Sequence, residues 1–238
     1  NFAKNYDHSK TINDISEYYD FIYNKDEMDY LGLQLQICVK ESRPMYLHGY
    51  VLTSALEHYI KNNSIKDITI LETGTARGFS ALVMAKILEK NNINGKIHTI
   101  DILPHDTPVF DNCLKAAKLN KKLSRQECLE EWKNVVEKYI SFHCGDTKKI
   151  LQNLNYKRYN FAFLDAQHDY NHVILELNYV KERQLQGDVI VCDDYTITQF
   201  PLLCKAIDEF LLKKLYDYKI FYGDDGTKKR GYVYMVKK

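Results

Sequence analysis

The sequence predicts an α/β fold: a doubly wound, mostly parallel seven-stranded sheet with an antiparallel C-terminal hairpin and a helical N-terminal cap. Two observations predict it. From Ile68 onward, short apolar runs alternate with segments whose apolar residues recur at helical spacing, which is the pattern of a parallel sheet covered by helices on both faces. Near the C terminus, two strand-like runs flank the turn residues 223–226, which predicts a hairpin.

The individual elements follow from this pattern in chain order. Strands are predicted at 68–72, 96–101, 140–144, 159–164, 188–192, 219–222 and 231–236. Helices are predicted at 80–90, 147–154, 172–183 and 202–215. Leu82, Ala85 and Leu88 show the helical spacing in the first helix, and Gly187 ends the third. The dipeptide Asn94-Gly95 indicates a turn before the second strand.

Two segments lie outside this regular alternation. Residues 1–66 are mostly helical in pattern and rich in tyrosine, and we expect them to form a cap within the same domain as residues 67–238. An insert at 103–138 is longer than one crossover helix needs. Pro104 opens the insert as a loop, and an amphipathic helix over 124–139 closes it. We therefore predict one domain with a helical cap.

The composition limits the classes of partner. The 238 residues include 33 Lys and Arg against 32 Asp and Glu, so the formal net charge of +1 gives no overall field that draws the chain to nucleic acid. No apolar run approaches the ~20 residues of a membrane span, and no signal-peptide pattern is present. The six cysteines lack zinc-binding spacing and are typical of a reducing compartment. We expect a cytoplasmic protein; the sequence leaves open a homo-oligomer or membership of a larger chain.

The turn after the first strand is the first candidate binding site. Gly74 and Gly78, within the run from Glu72 to Ser80, let the backbone turn tightly beside a ligand, and the next helix presents free N–H groups there. The run contains neither the Gly-Lys-Ser/Thr of a phosphate-binding loop nor the Gly-x-Gly-x-x-Gly of a dinucleotide site. A dinucleotide oxidoreductase is therefore not favoured.

Acidic residues also end the next two strands. Asp101 is placed to accept hydrogen bonds from ribose hydroxyls, or is simply a solvated acid at a strand end. Asp146 is either the N-cap of the following helix or a residue that reaches an adenine amino group. The residues alone leave both pairs of alternatives open.

The fourth and fifth strands end in the densest acidic cluster, with Asp165 after the fourth strand and Asp193 and Asp194 after the fifth. Neighbouring parallel strands bring these carboxylates together, and three carboxylates repel one another unless a cation compensates. Oxygen ligands favour Mg²⁺ or Mn²⁺ over zinc. His168, three residues beyond Asp165, is a candidate general base because histidine titrates near neutral pH.

These segments resemble a known enzyme family. The run Glu72–Ser80 (Glu-Thr-Gly-Thr-Ala-Arg-Gly-Phe-Ser) resembles motif I of class I S-adenosylmethionine (AdoMet)-dependent methyltransferases, and residues 144–147 are similar to the segment that lines their adenine. Residues 165–170 (Asp-Ala-Gln-His-Asp-Tyr) and 187–194 (Gly-Asp-Val-Ile-Val-Cys-Asp-Asp) are similar to the metal-dependent, macrocin-type sugar O-methyltransferases. The resemblance covers residues 66 to 236.

The resemblance implies a role for each site residue. The residues implied to bind AdoMet are Glu72, Gly74, Thr75, Gly78, Ser80, Asp101, Ile102, Gly145, Asp146 and Asp165. The implied ligands of a divalent cation, Mg²⁺ or Mn²⁺, are Asp165, Asp193 and Asp194. Asp165 and His168 are the implied catalytic residues, with His168 as the base. Gln167 departs from the family pattern beside His168, while the second Asp of the Asp-Asp pair favours the macrocin branch over the catechol branch.

The function implied is transfer of the AdoMet methyl group to a sugar hydroxyl on a glycan, a nucleotide sugar or a glycosylated natural product, as in polysaccharide biosynthesis. A cation would lower the pKa of that hydroxyl, and His168 would remove its proton. The expected partner is therefore a small-molecule or glycan acceptor. Three alternatives remain: a catechol or phenol O-methyltransferase, a metal-dependent hydroxylase and a non-catalytic AdoMet-binding module. The three-Asp cluster counts against the hydroxylase, whose iron site needs two histidines and one carboxylate.

Overall fold

The computed structural model describes residues 7, 9–39, 46–224 and 229–238. Its strands are β1 (Asp67–Thr73), β2 (Asn94–Asp101), β3 (Ile140–Cys144), β4 (Phe161–Leu164), β5 (Val189–Cys192), β6 (Tyr216–Asp224) and β7 (Lys229–Lys237). Its α-helices are α1 (Ser9–Tyr19), α2 (Lys25–Leu31), α3 (Leu47–Asn63), α4 (Phe79–Lys90), α5 (Leu114–Leu119), α6 (Arg125–Leu129), α7 (Lys133–Tyr139), α8 (Thr147–Asn153), α9 (Tyr170–Lys181) and α10 (Pro201–Leu211). None of the helices within these ranges has the length and apolar character that crossing a bilayer requires.

The seven strands form one sheet in the order β3-β2-β1-β4-β5-β7-β6. Strands β1 to β5 are parallel, and β7 lies antiparallel between β5 and β6. The predicted fold class is therefore confirmed. The strand order reverses direction between β1 and β4, and open α/β sheets bind ligands beyond the carboxyl ends of the strands at such a point.

Side-chain alternation along the parallel strands gives the sheet two apolar faces. Ile70 of β1 and Phe161 of β4 are buried in the layer beneath α3 and α4, whereas Leu71 and Ala162, one residue further along each strand, are buried in the layer beneath α9 and α10. A strand that is buried on both faces has a continuous apolar sequence, and this is why these strands could be predicted.

The N-terminal helices pack onto the first of these two layers. Ile15 of α1, Met28 of α2 and Leu52 of α3 are all fully buried in the same apolar core as α4. This shared core supports the expectation that residues 1–66 belong to one domain with residues 67–238, which we retain as a proposal for the part of the cap that the structure describes.

Most element bounds differ from the predictions by one to four residues, and the largest shift is in the helix predicted over 202–215, which ends at Leu211. Three other differences concern the turn before β2, the insert and the hairpin. The dipeptide Asn94-Gly95 begins β2 instead of preceding it, because both residues pair with β1. Glycine is needed at 95 for close approach to β1, since a Cβ atom there would lie 2.5 Å from the Ile68 carbonyl oxygen. The predicted helix over 124–139 is divided into α6 and α7 by a 3₁₀ turn at Glu130–Trp132. The hairpin strands are longer than predicted, and residues 225–226 of the predicted turn lie outside the described residues.

Candidate active site

A cavity of about 260 Å³ opens at the carboxyl ends of β1 to β4. Six of the residues predicted to bind the cofactor line it: Gly74, Asp101, Ile102, Gly145, Asp146 and Asp165. A larger cavity of about 820 Å³ lies between α1 and the β6–β7 hairpin, but none of the predicted site residues lines it. The topology and the chemistry of the lining therefore both point to the smaller cavity.

The turn after β1 needs glycine at Gly74. Its φ angle is +90°, and a Cβ atom there would lie 2.0 Å from the carbonyl oxygen of Asp165. Its N–H donates to the Ile100 carbonyl at 2.9 Å. The turn after β1 is thus held against the loop that follows β4, and no other residue fits between them.

Four other predicted cofactor residues lie beneath the cavity wall instead of lining it: Glu72, Thr75, Gly78 and Ser80. The Thr99 hydroxyl donates to Glu72 and lies 2.5 Å from the Thr75 hydroxyl. Burial raises the pKa of Glu72 to about 7, although hydrogen bonds from the Ser80 and Thr99 hydroxyls oppose the shift. These residues support the turn from below.

Asp101, at the end of β2, is held by the backbone on both carboxylate oxygens. Oδ2 accepts a hydrogen bond from the Ala76 N–H at 2.6 Å, and Oδ1 accepts one from the Leu103 N–H at 2.8 Å. The Nη2 atom of Arg125 lies 3.2 Å from Oδ2. Sequence reasoning missed Arg125, which lies in the insert and has no motif around it.

Asp146 does cap a helix, as one of its two interpretations expected. Its carboxylate accepts a hydrogen bond from the Lys149 N–H at the start of α8, at 3.2 Å, and the residue also lines the cavity. His172 lines the cavity as well, and its Nδ1 atom lies 2.5 Å from Asp169 Oδ2. Sequence reasoning did not include His172 in the cofactor site.

Beside the cavity, three side chains place nitrogen and oxygen atoms within 4.8 Å of one another: Asp165, His168 and Asp194. His168 Nε2 lies 3.3 Å from Asp194 Oδ2 and 4.0 Å from Asp165 Oδ1. Among the described residues, this is the one group of three such side chains that could hold a metal ion.

Asp193, the third predicted ligand, is not part of this group. It is almost fully buried, and its Oδ2 atom lies 3.7 Å from His48 Nδ1 and 3.5 Å from Arg230 Nη2. The structure therefore brings together Asp165, Asp194 and His168 and turns the Asp193 carboxylate elsewhere. Asp194 has a φ angle of +58°, so the chain is not extended there, and its N–H donates to Asp193 Oδ1 at 2.6 Å, which fixes the Asp193 carboxylate outside the group.

Arg230, on β7, is the cation that faces the acidic pair. Its guanidinium donates a hydrogen bond to Asp194 Oδ1 and lies close to Asp193. The sequence expectation that three carboxylates need a compensating cation is therefore met in part by the chain itself. Sequence reasoning missed Arg230 because it follows Lys228 and Lys229 in the sequence, and a basic run of this kind is typical of a solvated surface.

The residues present fit a divalent cation. Burial, followed by the charges of Asp193 and Asp194, raises the pKa of Asp165 well above its ordinary range although the Arg230 guanidinium opposes the shift, so a further cation would stabilise the ionised form of Asp165. The Nε2 atom of His168 is buried and has no hydrogen-bond partner among the described residues. The two carboxylates that converge here can hold an ion, with the imidazole nitrogen of His168 beside it.

A comparison with protein families matches residues 71–195 to a family described as a methyltransferase domain. The match covers more than half of the chain, and the chain belongs to this family. The matched span runs from the end of β1 to the residue after Asp194, so it contains the whole cavity and the Asp165–His168–Asp194 group. A search of the curated proteins finds no match to this chain.

Solved structures share the fold. The chain is similar to the O-methyltransferase NovP, with 17% identity and a TM-score of 0.61 over 82% of this chain and 81% of that one. It is also similar to the O-methyltransferase TomG from Streptomyces achromogenes (14% identity, TM-score 0.61, 98% and 100% of the two chains). An O-methyltransferase from Bacillus cereus is similar over 100% of this chain and 94% of its own, with 13% identity and a TM-score of 0.57. At these identities the likeness concerns the fold.

Proposed function

We propose that the chain is an AdoMet-dependent O-methyltransferase that uses a divalent cation to transfer a methyl group to a sugar hydroxyl. One observation carries the proposal: Asp165 both lines the cavity at the strand ends and belongs to the group with His168 and Asp194. A cofactor in the cavity and an acceptor at this group would therefore be adjacent. Methyl transfer requires that adjacency, because the acceptor oxygen must approach the methyl carbon in line.

The cavity lining suits AdoMet, which supplies a methyl group on a positively charged sulfonium. Asp101 Oδ1 accepts one hydrogen bond, from the Leu103 N–H, whereas Oδ2 accepts one from Ala76 and also faces Arg125, so Oδ1 has the capacity to accept a hydrogen bond from a ribose hydroxyl. Gly74 keeps the turn after β1 free of a side chain beside the cavity. TomG was solved with SAM and the Bacillus cereus enzyme with SAH, which supports the same class of cofactor here.

Asp165 and Asp194 are the residues that we propose hold the cation. Asp193 would join them only if its carboxylate turned away from His48 and Arg230. A bound ion lowers the pKa of an acceptor hydroxyl by several units, which an alkyl hydroxyl needs in order to react near neutral pH. Arg230 remains paired with Asp194 and offsets part of the negative charge of the acidic group.

His168 is placed to take the proton from the acceptor hydroxyl. Its ring packs against Phe200, with 4.0 Å between the ring centroids, and its Nε2 atom lies 3.3 Å from Asp194 Oδ2. The carboxylate would stabilise the positive charge that the imidazole gains on accepting the proton. General base catalysis of this kind contributes roughly 10²- to 10⁴-fold to a rate.

A sugar acceptor is supported by the sequence resemblance of residues 165–170 and 187–194 to the macrocin-type enzymes. Two neighbouring hydroxyls on a sugar ring would both face a cation held by Asp165 and Asp194. Oxygen ligands of this kind are those that Mg²⁺ and Mn²⁺ prefer. Holding the diol by two oxygens would also fix which hydroxyl points toward the methyl group.

The test is a methyl-transfer assay with radiolabelled AdoMet, Mn²⁺ and a panel of nucleotide sugars, glycans and catechols. We expect label in a sugar, and we expect Asp165→Asn to remove it while Asp111→Asn, a change of an exposed acid in the insert, leaves it unchanged. Robust transfer to catechols with none to any sugar would instead assign the chain to the catechol class. Binding of AdoMet with no transfer to any acceptor would favour a non-catalytic module.

A further inference from the structure

Arg125 is the largest side chain that is fully buried among the described residues, with 1% of its surface exposed. It is the first residue of α6, within the insert between β2 and β3. A buried arginine is rare, since its charge must be paired and its donors satisfied. Its position therefore calls for an explanation beyond packing.

The guanidinium contacts three residues that line the cofactor cavity. Nε donates to the Ala76 carbonyl at 2.6 Å, Nη1 donates to the Leu103 carbonyl at 3.2 Å, and Nη2 lies 3.2 Å from Asp101 Oδ2. All three partners line the cavity, while Arg125 itself lies behind them. One rigid, planar group thus joins the turn after β1 to the end of β2.

The other side of Arg125 is also fixed. Its guanidinium carbon lies 5.9 Å from the ring centre of Phe110 and 5.8 Å from that of Phe142. Ser124 and Glu127 form a capping box around the first turn of α6, which holds the Arg125 backbone. The insert therefore supports the guanidinium from behind and does not simply cover it.

The turn that Arg125 holds has a strained backbone. Ala76 has a φ angle of +45°, a conformation that residues with a Cβ atom rarely adopt. On its far side, the next residue, Arg77, donates to the carbonyls of Leu35 and Gln36 in the N-terminal cap. Strain of this kind persists only where the surroundings impose it, and it is concentrated at ligand sites.

We propose that Arg125 is a positioning residue for the cofactor: it holds Asp101 Oδ2 and the Ala76 turn in place so that the Asp101 carboxylate faces the ribose hydroxyls. The insert between β2 and β3 is then a working part of the AdoMet site. This role rests on the proposed function, since it assigns the ribose to Asp101. Arg125 acts through Asp101 and touches no ligand itself.

The experiment compares two probes by calorimetry: S-adenosylhomocysteine and its 2′-deoxy analogue. Wild-type protein should bind the deoxy analogue roughly ten- to a hundredfold more weakly, because a hydrogen bond to a charged acceptor is lost. Arg125→Met should bind S-adenosylhomocysteine at least tenfold more weakly than wild type but should change the affinity of the deoxy analogue less than threefold. Lys122→Met, a change of an exposed cation in the same insert, should behave as wild type.

A purely structural role would weaken both probes equally, so retained discrimination in folded Arg125→Met would overturn the role of Arg125. Wild-type protein that binds neither probe would contradict the proposed function instead, which keeps the two failures distinct. If Arg125→Met does not fold, Arg125→Lys gives the same comparison. Lysine keeps the charge but cannot contact Ala76, Leu103 and Asp101 together. Arg125→Lys should therefore prefer S-adenosylhomocysteine over the deoxy analogue by a smaller factor than wild type does.

Discussion

The guanidinium of Arg230, near the start of β7, donates a hydrogen bond to the carboxylate of Asp194, which follows β5. A side chain 36 residues further along the chain thus supplies positive charge to the acidic group at the strand ends. The other oxygen of Asp194 lies 3.3 Å from His168 Nε2. Asp194 therefore links a permanent cation to the proposed catalytic base, and any added cation must share this carboxylate with Arg230.

Removing the guanidinium should destabilise the protein and strengthen cation binding. In Arg230→Met, the buried Asp193 and Asp194 lose their counter-charge, at a cost on the order of 3 kcal/mol in the free energy of unfolding without metal. Mn²⁺ should then raise the melting temperature more in the variant than in wild type. Lys229→Met, a change of the exposed neighbour, is the control. Equal Mn²⁺ effects in wild type and Arg230→Met would show that Arg230 and the cation do not share a site.

The cation should be needed for transfer and not for cofactor binding. We expect EDTA to abolish methyl transfer and Mn²⁺ to restore it, while AdoMet affinity is unchanged in chelator. Asp194→Asn should weaken Mn²⁺ binding, measured by electron paramagnetic resonance, at least tenfold because an ionised ligand becomes a neutral amide. Full activity in chelator would mean that Asp165 and Asp194 serve structure alone.

His168 should matter most for weakly acidic acceptors. His168→Ala should lower the rate of transfer to a sugar by roughly 10²- to 10⁴-fold, the usual contribution of a general base. Any transfer to a catechol should fall much less, because that hydroxyl loses its proton more readily. His58→Ala is the control, because His58 lies beside Gly187 near the amino end of β5, away from the carboxyl ends that form the site. Equal losses for both acceptors would argue that His168 holds the site together instead of moving a proton.

Glu176 should make stability depend on pH. This residue of α9 is buried, accepts a hydrogen bond from the Thr73 hydroxyl at 3.1 Å, and burial raises its pKa from 4.5 to about 8. Between these two values the folded state keeps a proton that the unfolded state releases, so the free energy of unfolding falls as pH rises, by about 1.4 kcal/mol per pH unit.

The measurement is urea unfolding of wild type and Glu176→Gln at pH 6 and pH 8. Wild type should lose about 2–3 kcal/mol more than the variant across this interval, since glutamine has no proton to release. Glu182→Gln, a change of an exposed acid beside α9, should follow wild type. Parallel losses in wild type and Glu176→Gln would show that Glu176 is not protonated in the fold.

The sheet was predictable because strands buried on both faces are continuous apolar runs between helical segments. The acids that end those strands were predictable for the same reason, since parallel strands end at one edge. The direction in which each acidic side chain points could not be predicted from the sequence. Asp193 and Asp194 are neighbours in sequence, yet one faces His48 and the other faces His168, and Asp194 has a φ angle of +58°.

The two arginines at the site were hidden by sequence distance. Arg125 meets Ala76 across 49 positions, and Arg230 meets Asp194 across 36. Neither follows a strand end or a glycine turn, so no local pattern marks it. The available signal was the number of acids at the strand ends. Acids that lie close together are stabilised by nearby cations, so their number predicts that basic residues from elsewhere in the chain pair with them.

Calorimetry of AdoMet with wild type and Asp101→Ala in EDTA decides whether AdoMet binds at the strand ends with its ribose on Asp101. We predict one site per chain in wild type and an affinity roughly ten- to a hundredfold lower in the variant, because hydrogen bonds to a charged acceptor are lost. Circular dichroism would establish that Asp101→Ala is folded. Unchanged AdoMet affinity in that folded variant, or no binding to wild type, would contradict the account.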